Sequence, residues 1–343
     1  MIDAAVRWCA GPPPGWDEHV AGDPNAAPAH RPVVWRALAE ALPEFSAHVI
    51  AVEGPRGLLG GAPVIVERRA GLEWLHALPW LLSGAPLAGD DARETVDLAV
   101  ARALADAARD RGAVGGEWVL DRPAGPAVAP EAVMAIPGET RVLETARVDL
   151  APGVEAAWRR VDRKTRQALS QARASLRFEE DPDALPAAYA LHLAQSRRWR
   201  GHRPLPLELA RRLLAGADAC GPAARLFVVR DAGGVLAATL ALDHPRETLV
   251  WWSGSHPEAR ERHAFPLLMW EVAAWAAAAG RARLHLGASA GLGPIAAFKQ
   301  ALGATAVPVP VRWLDARQAP PVARAVAAAQ RWVRRGRHRG RAA

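Results

Sequence analysis

The sequence predicts an α/β protein of two similar lobes, each a mixed sheet flanked by helices. One order of elements, namely hairpin, loop, helix and strand, occurs twice along the chain. The second copy contains a strand, a helix and a strand in the arrangement of a parallel crossover. The chain has 343 residues, enough for about two domains of ordinary size, and half of them are hydrophobic, so each lobe can bury a core.

The clearest pattern lies in residues 248–304. A short apolar run at 249–252 predicts a strand, residues 266–279 predict a long helix, and residues 283–286 predict a second strand. Because a helix joins them, the two strands are expected to lie side by side and parallel. The loop before the helix, SGSHPEARERHAF, brings polar and basic residues to the helix N-terminus, where free N–H groups attract anions.

The second copy opens with a hairpin, whose strands are expected at 226–230 and 235–243 around a Gly-rich turn. The first copy has the same order nearer the N-terminus. Its elements are a hairpin, a helix and a strand, expected at 48–54 with 61–69, at 93–111 and at 116–120. The linker between the copies is expected within 123–141.

Charge and cysteine content narrow the class of function. The net charge is +7 and the pI is near 10.6, but much of the excess lies at 159–177 and 331–341, so we predict no DNA partner. Cys9 and Cys220 form no CxxC pair, which argues against a disulfide scaffold or a metal site. The N-terminus has early charges rather than a secretory signal, and no apolar stretch has the length of a membrane span. A cytoplasmic protein is therefore expected.

Residues 248–304 resemble the second lobe of the FemAB-like proteins of the GNAT acetyltransferase superfamily. The resemblance rests on WWSGS, the basic loop, LLMWEVAAWAAAAG, RLHLGAS and AFKQALGA. It extends upstream through AWRRVDRKTRQALSQARASL and ARLFVVRDAGGVLAATLALDH, over roughly residues 145–312, and is greatest for the branch associated with cellulose and exopolysaccharide synthesis. It implies a degenerate GNAT-like lobe at 1–140, an acyltransferase lobe at 141–315, and a basic tail, helical or disordered, at 316–343.

The resemblance implies transfer of an acyl group from acyl-CoA to an amine or hydroxyl of a cell-envelope or exopolysaccharide precursor. Acyl-CoA is then a cosubstrate, and neither a tightly bound cofactor nor a metal is implied. The precursor is expected to be a small molecule or lipid-linked, with the basic tail touching the inner membrane face. Two alternatives stay open: transfer from aminoacyl-tRNA, and a non-catalytic protein of the same fold that binds an anionic polymer.

Acyl transfer needs hydrogen-bond donors for the carbonyl oxygen and an acceptor for the amine proton. The resemblance implies that the thioester lies along the first strand, which makes Trp252 and Gly254 predicted cofactor contacts. Ser253 and His256 are the predicted proton relay, because imidazole exchanges protons near neutral pH. Lys299 is the third predicted catalytic residue, since similar proteins have an FK pair whose lysine faces the donor or the charged intermediate.

The loop before the helix supplies the remaining predicted coenzyme A contacts. GNAT enzymes have Gln/Arg-x-x-Gly-x-Gly/Ala here, whereas this chain has RERHAF at 260–265. The arginine is kept, but His263 and Phe265 replace glycines that let a backbone approach a pyrophosphate. The predicted contacts are Arg260, Arg262, His263 and Ala264. No counterpart of the long helical hairpin of some tRNA-using relatives is present, which favours a thioester donor.

A basic helix is predicted at 154–176, with an apolar stripe and arginines on the other faces. Such a face is either solvated or a platform for phosphates. In the family this helix links the lobes, so Arg163 and Arg166 are predicted substrate contacts. Similar proteins keep an Arg/Trp-rich segment beside the cleft, which adds Arg198 and Trp199.

The segment GASAG at 287–291 also fits the G-x-S-x-G nucleophile elbow of serine hydrolases, because it follows a strand and precedes a helix. The acid and the base would have to be Asp315 and His338, and too little chain follows to complete a hydrolase sheet. We therefore interpret Ser289 as a turn residue and a predicted substrate contact.

Overall fold

A computed structural model describes residues 4–197 and 204–314, together with Pro321 and Ala325. The described chain forms two compact units. Unit 1 comprises residues 4–142 with 309–314, and unit 2 comprises residues 143–308. Each unit combines a mixed sheet with helices, which confirms the predicted fold class.

Unit 1 contains the first copy of the repeated order. Its elements are β1 (Ala5–Cys9), α1 (Trp16–Gly22), a 3₁₀ turn (Pro28–His30), α2 (Pro32–Ala41), β2 (Phe45–Gly54), β3 (Gly57–Arg69), β4 (Leu72–His76), β5 (Leu87–Ala88), α3 (Arg93–Asp110), β6 (Gly116–Val119) and α4 (Pro130–Ala135). The strand order is β1-β2-β3-β4, with β5 also on β3. The end of β4 pairs in parallel with β6. The N–H groups of Leu75 and Ala77 donate to the carbonyl oxygens of Gly115 and Glu117 at 3.0 and 2.9 Å, so both chains advance in the same direction.

The core of unit 1 lies between α3 and its sheet. Val96, Val100 and Leu104 recur every four residues of α3 and are fully buried or nearly so. This spacing places them on one helical face, against buried strand residues such as Ile50 and Val64. The predicted amphipathic helix at 93–111 is therefore present, and its apolar face covers the hairpin β2–β3.

Unit 2 contains the second copy. After β7 (Gly138–Asp149), the chain forms α5 (Val154–Arg160), α6 (Arg163–Arg173), β8 (Arg177–Glu180), a 3₁₀ turn (Pro182–Ala184), α7 (Leu185–Ser196), α8 (Leu207–Ala215), β9 (Ala217–Asp218), β10 (Gly221–Pro222), β11 (Ala224–Asp231), β12 (Gly234–His244), β13 (Glu247–Ser255), a 3₁₀ turn (Pro257–Ala259), α9 (Ala264–Ala278), β14 (Arg283–Ala288), α10 (Gly293–Ala301) and β15 (Thr305–Leu314). The two boundaries between the units fall within the residue ranges of β7 and β15.

The sheet of unit 2 has the order β7-β14-β13-β12-β11-β8. β13 and β14 are parallel, as the strand–helix–strand pattern predicts, and the other neighbours are antiparallel. Helix α9 joins β13 to β14 and contacts strands β11, β12 and β14 as well as helices α5 and α6. Contact on both sides explains why this helix is apolar all round.

The prediction of a single helix at 154–176 is wrong, because the chain forms two helices there. Val161 leaves α5 with ψ 134°, and the Asp162 side chain caps α6 by accepting from the N–H groups of Lys164 and Thr165. The Asp162 N–H donates to the Ala301 carbonyl at 2.9 Å, which fixes the break. An aspartate cap and a tertiary hydrogen bond therefore outweigh the continuous helical periodicity.

Within residues 4–197 and 204–314, no helix combines the length and the apolar character that a membrane crossing requires. The same residues contain no group of His, Cys, Asp and Glu side chains arranged to hold a metal ion. Cys9 and Cys220 are not joined in a disulfide.

Candidate active site

Two neighbouring parallel strands of unit 2 separate after a short paired stretch. β13 and β14 pair only where residues 247–249 lie beside 283–285, after which β13 continues to Ser255 and β14 to Ala288. Gly287 of β14 lies near the base of this opening. A Cβ added to Gly287 would be 3.9 Å from the carbonyl oxygen of Val250 in β13. The strands thus leave an opening between them, which we call the β13–β14 wedge.

The β13 side of the wedge presents backbone hydrogen-bond donors. The register of β12 against β13 shifts at Trp251, which is an extra, bulged residue. Beyond the bulge, the His256 N–H donates to the Leu236 carbonyl of β12 at 2.8 Å. Because bonded residues alternate along an antiparallel ladder, the N–H groups of Ser253 and Ser255 point away from β12 and towards the wedge.

Helix α7 covers the face of β13 that carries Trp252 and Gly254. The ring centroids of His192 and Trp252 are 4.7 Å apart, and a Cβ on Gly254 would lie 2.4 Å from the His192 backbone nitrogen. The buried His192 ring has Nδ1 3.3 Å from the Ser253 carbonyl oxygen and Nε2 3.4 Å from Ser196 Oγ. Trp252 and Gly254, predicted as cofactor contacts, therefore face α7. Sequence reasoning missed His192, because one histidine in an apolar helix gives no functional signal.

The predicted proton relay lies at the end of β13. Side chains alternate along a strand, so that of Ser253 projects from the face opposite Trp252 and Gly254. His256 follows β13, and its side chain is 45% exposed. Its Nδ1 accepts from the Glu258 N–H at 3.4 Å and caps the 3₁₀ turn Pro257–Ala259. An exposed imidazole beside the open edge of β13 is accessible to an incoming acceptor.

The two arginines of the β13–α9 loop have different surroundings. Arg260 is exposed. Arg262 forms an ion pair with Asp231 in the β11–β12 turn, and this hydrogen bond holds the pKa of the Asp231 carboxyl below its usual range. Of the two predicted cofactor-binding arginines, Arg260 thus extends into solvent, whereas Arg262 ties the loop to the neighbouring hairpin.

Helix α9 begins with a backbone conformation that glycine normally adopts. His263, at φ 54°, is its N-cap and occupies the place of the first glycine in the GNAT pattern. Ala264 is buried as the first helical residue. First-turn N–H groups have no intrahelical partner, but Pro266 has no N–H at all. The donors left for an anion are therefore the N–H groups of Ala264 and Phe265.

Lys299 is bound to the other edge of the wedge. Its ammonium Nζ donates to the carbonyl oxygens of Gly287 and Ala288 at 2.8 and 2.9 Å, at the end of β14. Lys299 is 7% exposed, and burial lowers the pKa of its ammonium from 10.5 to about 8, against the opposing effect of the Glu144 carboxylate. An ammonium has three N–H donors, so one remains after these two contacts.

Ser289 has the surroundings of a turn residue. It is 4% exposed, and its N–H donates to the Glu144 carbonyl at 3.3 Å. The left-handed residues of this turn are Gly287, Ala290 and Gly291, so Ser289 does not have the strained backbone of a nucleophile elbow. Asp315 and His338, which the hydrolase alternative requires, lie outside the described residues.

The predicted substrate-binding arginines are distributed over several elements. Arg163 is exposed at the start of α6. Arg166 donates to the carbonyl oxygens of Trp158 and Arg159, and thus binds the C-terminal end of α5. Arg198 and Trp199 lie outside the described residues. The structure therefore places Trp252, Ser253 and Gly254 on β13. It binds Lys299, from α10, to the end of β14, and assigns Arg166 a contact within its own helix pair.

Comparison with known proteins gives the same fold. Residues 156–300 match the family model described as an acetyltransferase (GNAT) domain. The crystal structure of FemX aligns with a TM-score of 0.65 at 12% identity, over 86% of this chain and 94% of that one. The C-terminal domain of a putative lysylphosphatidylglycerol synthetase from Agrobacterium fabrum aligns with a TM-score of 0.55 at 16% identity, over 90% and 97%.

A tandem GNAT protein from the clavulanic acid biosynthesis pathway aligns with a TM-score of 0.50 at 17% identity, over 90% of this chain and 98% of that one. No curated protein matches the sequence. The separating strands, the bulge and the helix that follows thus lie within a segment that matches a GNAT domain, and the two-unit organisation matches tandem relatives. Residues 156–300 therefore match a GNAT acetyltransferase domain, and the chain has the fold of FemX and of a tandem GNAT protein.

Proposed function

We propose that the β13–β14 wedge holds an acyl-CoA thioester and that the acyl group passes to an amine or hydroxyl of a cell-envelope or exopolysaccharide precursor. The observation that supports this most strongly is the short pairing of β13 with β14, since the strands separate where the N–H groups of Ser253 and Ser255 face outward. A thioester carbonyl in the wedge meets donors that are already oriented. We propose a cytoplasmic enzyme whose basic tail at 316–343, nearly all of which lies outside the described residues, touches the anionic membrane face.

The reaction follows from these positions. The acceptor nitrogen or oxygen attacks the thioester carbon, and the carbonyl oxygen becomes an oxyanion that accepts from a β13 N–H and from the remaining N–H of Lys299. His256 takes the proton of the acceptor. When the tetrahedral intermediate collapses, the carbon–sulfur bond breaks, and coenzyme A leaves as a thiolate that regains a proton from the imidazolium or from water.

An aminoacyl-tRNA donor is the second candidate, because one observation favours it. Arg159, Arg163 and Lys164 are all exposed on α5 and α6, and form a basic surface suited to phosphates. One structural relative also bears the name of an aminoacylated lipid, lysylphosphatidylglycerol. The two unpaired backbone N–H groups at the start of α9 are compatible with acyl-CoA and with aminoacyl-tRNA, so the two acyl donors have to be compared directly.

A ligand titration distinguishes the two donors. We expect coenzyme A, acetyl-CoA or a longer acyl-CoA to raise the melting temperature saturably, because a ligand bound only to the folded state stabilises it by about 2.7 kcal/mol at one hundred times its Kd. Arg260→Ala should weaken this binding, whereas Arg102→Ala, on α3 of unit 1, is the matched control. A shift with aminoacyl-tRNA alone would reject the thioester donor, and no shift with either would reject the donor site itself.

His256→Asn tests the proton acceptor without removing the helix cap. Asparagine is a good N-cap, so the turn at Pro257–Ala259 should persist, while the side chain can no longer take up a proton. We expect kcat to fall about 100-fold, as for loss of a general base. The rate is measured from pH 6 to 9 with the donor that binds and with glucosamine as test acceptor. An unchanged pH–rate profile would assign His256 a purely structural role.

A further inference from the structure

Unit 1 contains a cavity of about 600 Å³ that the proposed acyl transfer does not use. Three segments border it: α1 with its flanking residues, the turn between β2 and β3, and the stretch from β5 to the first residue of α3. A volume of this size is that of a small-molecule site. Its charged side chains are the cations Arg56, on the turn, and Arg93, at the start of α3, together with the carboxylates of Glu18, Asp23 and Asp90.

Arg93 is buried with incomplete pairing. Its side chain is 8% exposed, and its Nη2 donates to Asp90 Oδ1 at 2.5 Å, whereas Nη1 has no hydrogen-bond partner among the described residues. The nearest acid to Nη1 is Asp23, at 4.0 Å, and the Asp23 oxygens already accept from the N–H groups of Asn25 and Ala88. Asp90, in contrast, is 94% exposed, so a competing anion can displace it at little cost.

The helix that starts at this cavity has no side-chain cap. α3 is 18 residues long, and its N-cap is Ala92, which has no side-chain acceptor for the first-turn N–H groups. The partial positive charge at a helix N-terminus adds to that of Arg93. An anion in the cavity would therefore meet a buried guanidinium beside an uncapped helix end.

Unit 2 has an ion pair at the same position in the repeated order of elements, between the hairpin turn and the start of the long helix. There, Arg262 before α9 pairs with Asp231 on the β11–β12 turn. In unit 1 the equivalent β2–β3 turn carries Arg56, which is exposed and has no ion pair within residues 4–197 and 204–314, and the start of the equivalent helix carries Arg93. Arg56 and Arg93 thus line the same cavity, where Arg93 is bonded to the exposed Asp90 and Arg56 is joined to no acid among the described residues.

We propose that this cavity binds the phosphoryl group of a small molecule between Arg56 and Arg93. A phosphoryl group has three terminal oxygens, so it can accept from both guanidinium groups and from the α3 N-terminus together. A carboxylate has only two. The Asp90 carboxylate occupies part of this position through its bond to Arg93. The site lies within unit 1 and does not depend on the wedge of unit 2.

Calorimetric titration of the full-length protein with inorganic phosphate, at fixed ionic strength, tests the proposal. We expect saturable binding that Arg93→Gln weakens at least tenfold and Arg56→Ala weakens several-fold. Asp90→Asn should strengthen binding several-fold, because it removes the competing carboxylate. The last two variants change exposed side chains, so they test the site even if Arg93→Gln does not fold.

Matched controls exclude a general charge effect. Asp106 accepts from Arg109 in an (i, i+3) pair near the C-terminal end of α3, which is the same kind of contact as that between Asp90 and Arg93. Asp106→Asn should therefore leave phosphate binding unchanged. Arg102→Ala, at an exposed position in the middle of α3, should also have no effect. Three results would each overturn the proposal. They are binding of acetate but not of phosphate, loss of phosphate binding in the Arg260→Ala variant alone, and a lower affinity for phosphate in the Asp90→Asn variant.

Discussion

Gly254→Ala is expected to destabilise unit 2 by about 3 kcal/mol and to abolish donor binding. The added Cβ would lie 2.4 Å from the backbone nitrogen of His192 and 2.5 Å from the backbone carbon of Leu191. Backbone atoms cannot move aside by a rotamer change, so α7 must shift away from β13. That shift would also disturb the contact between His192 and the Ser253 carbonyl, and with it the strand that lines the wedge.

The free energy of unfolding in urea, followed by circular dichroism, measures this effect. Gly293→Ala is the matched control, since no atom lies within 4 Å of the added Cβ and the residue begins α10. That variant should be neutral or slightly stabilising, because alanine favours a helix more than glycine does. A Gly254→Ala protein as stable as the Gly293→Ala protein would show that α7 does not pack closely on β13.

Lys299→Met is expected to lower kcat/KM by a factor of about 100 to 1,000, the usual effect of losing one oxyanion donor. It also removes the two hydrogen bonds to the Gly287 and Ala288 carbonyl oxygens, so the end of β14 should become less ordered. The same assay as for His256 measures the rate. Lys164→Met, at an exposed position of α6, is the control and should retain full activity with an acyl-CoA donor.

The Lys299 variant has a pH signature of its own. Burial lowers the pKa of this ammonium from 10.5 to about 8 in the folded protein, so the unfolded chain binds more protons between those two values. The free energy of unfolding of the natural protein should therefore gain a contribution as the pH rises from 8 to 10.5, and Lys299→Met should lack it. Equal slopes for the two proteins over this range would contradict a buried, protonated Lys299.

The local patterns of the sequence were sufficient to predict the elements of the repeated order. The hairpin β11–β12, helix α9 and the parallel strands β13 and β14 follow from apolar periodicity and turn residues, which are local properties of the chain. The same reasoning failed at Val161 and Asp162. There the distant Ala301 carbonyl fixes the break between α5 and α6, and no periodicity reports a partner 139 residues away.

For the candidate site, the sequence by itself determined which chemical groups are present: the imidazole of His256, the ammonium of Lys299 and the strand that carries Ser253. Only the tertiary structure decided how they are used. It separated β13 from β14, placed His192 against Gly254, turned Arg262 towards Asp231 and buried Lys299 against β14. These outcomes depend on which backbones approach each other and which charges lose water, and both are properties of the packed chain rather than of neighbouring residues.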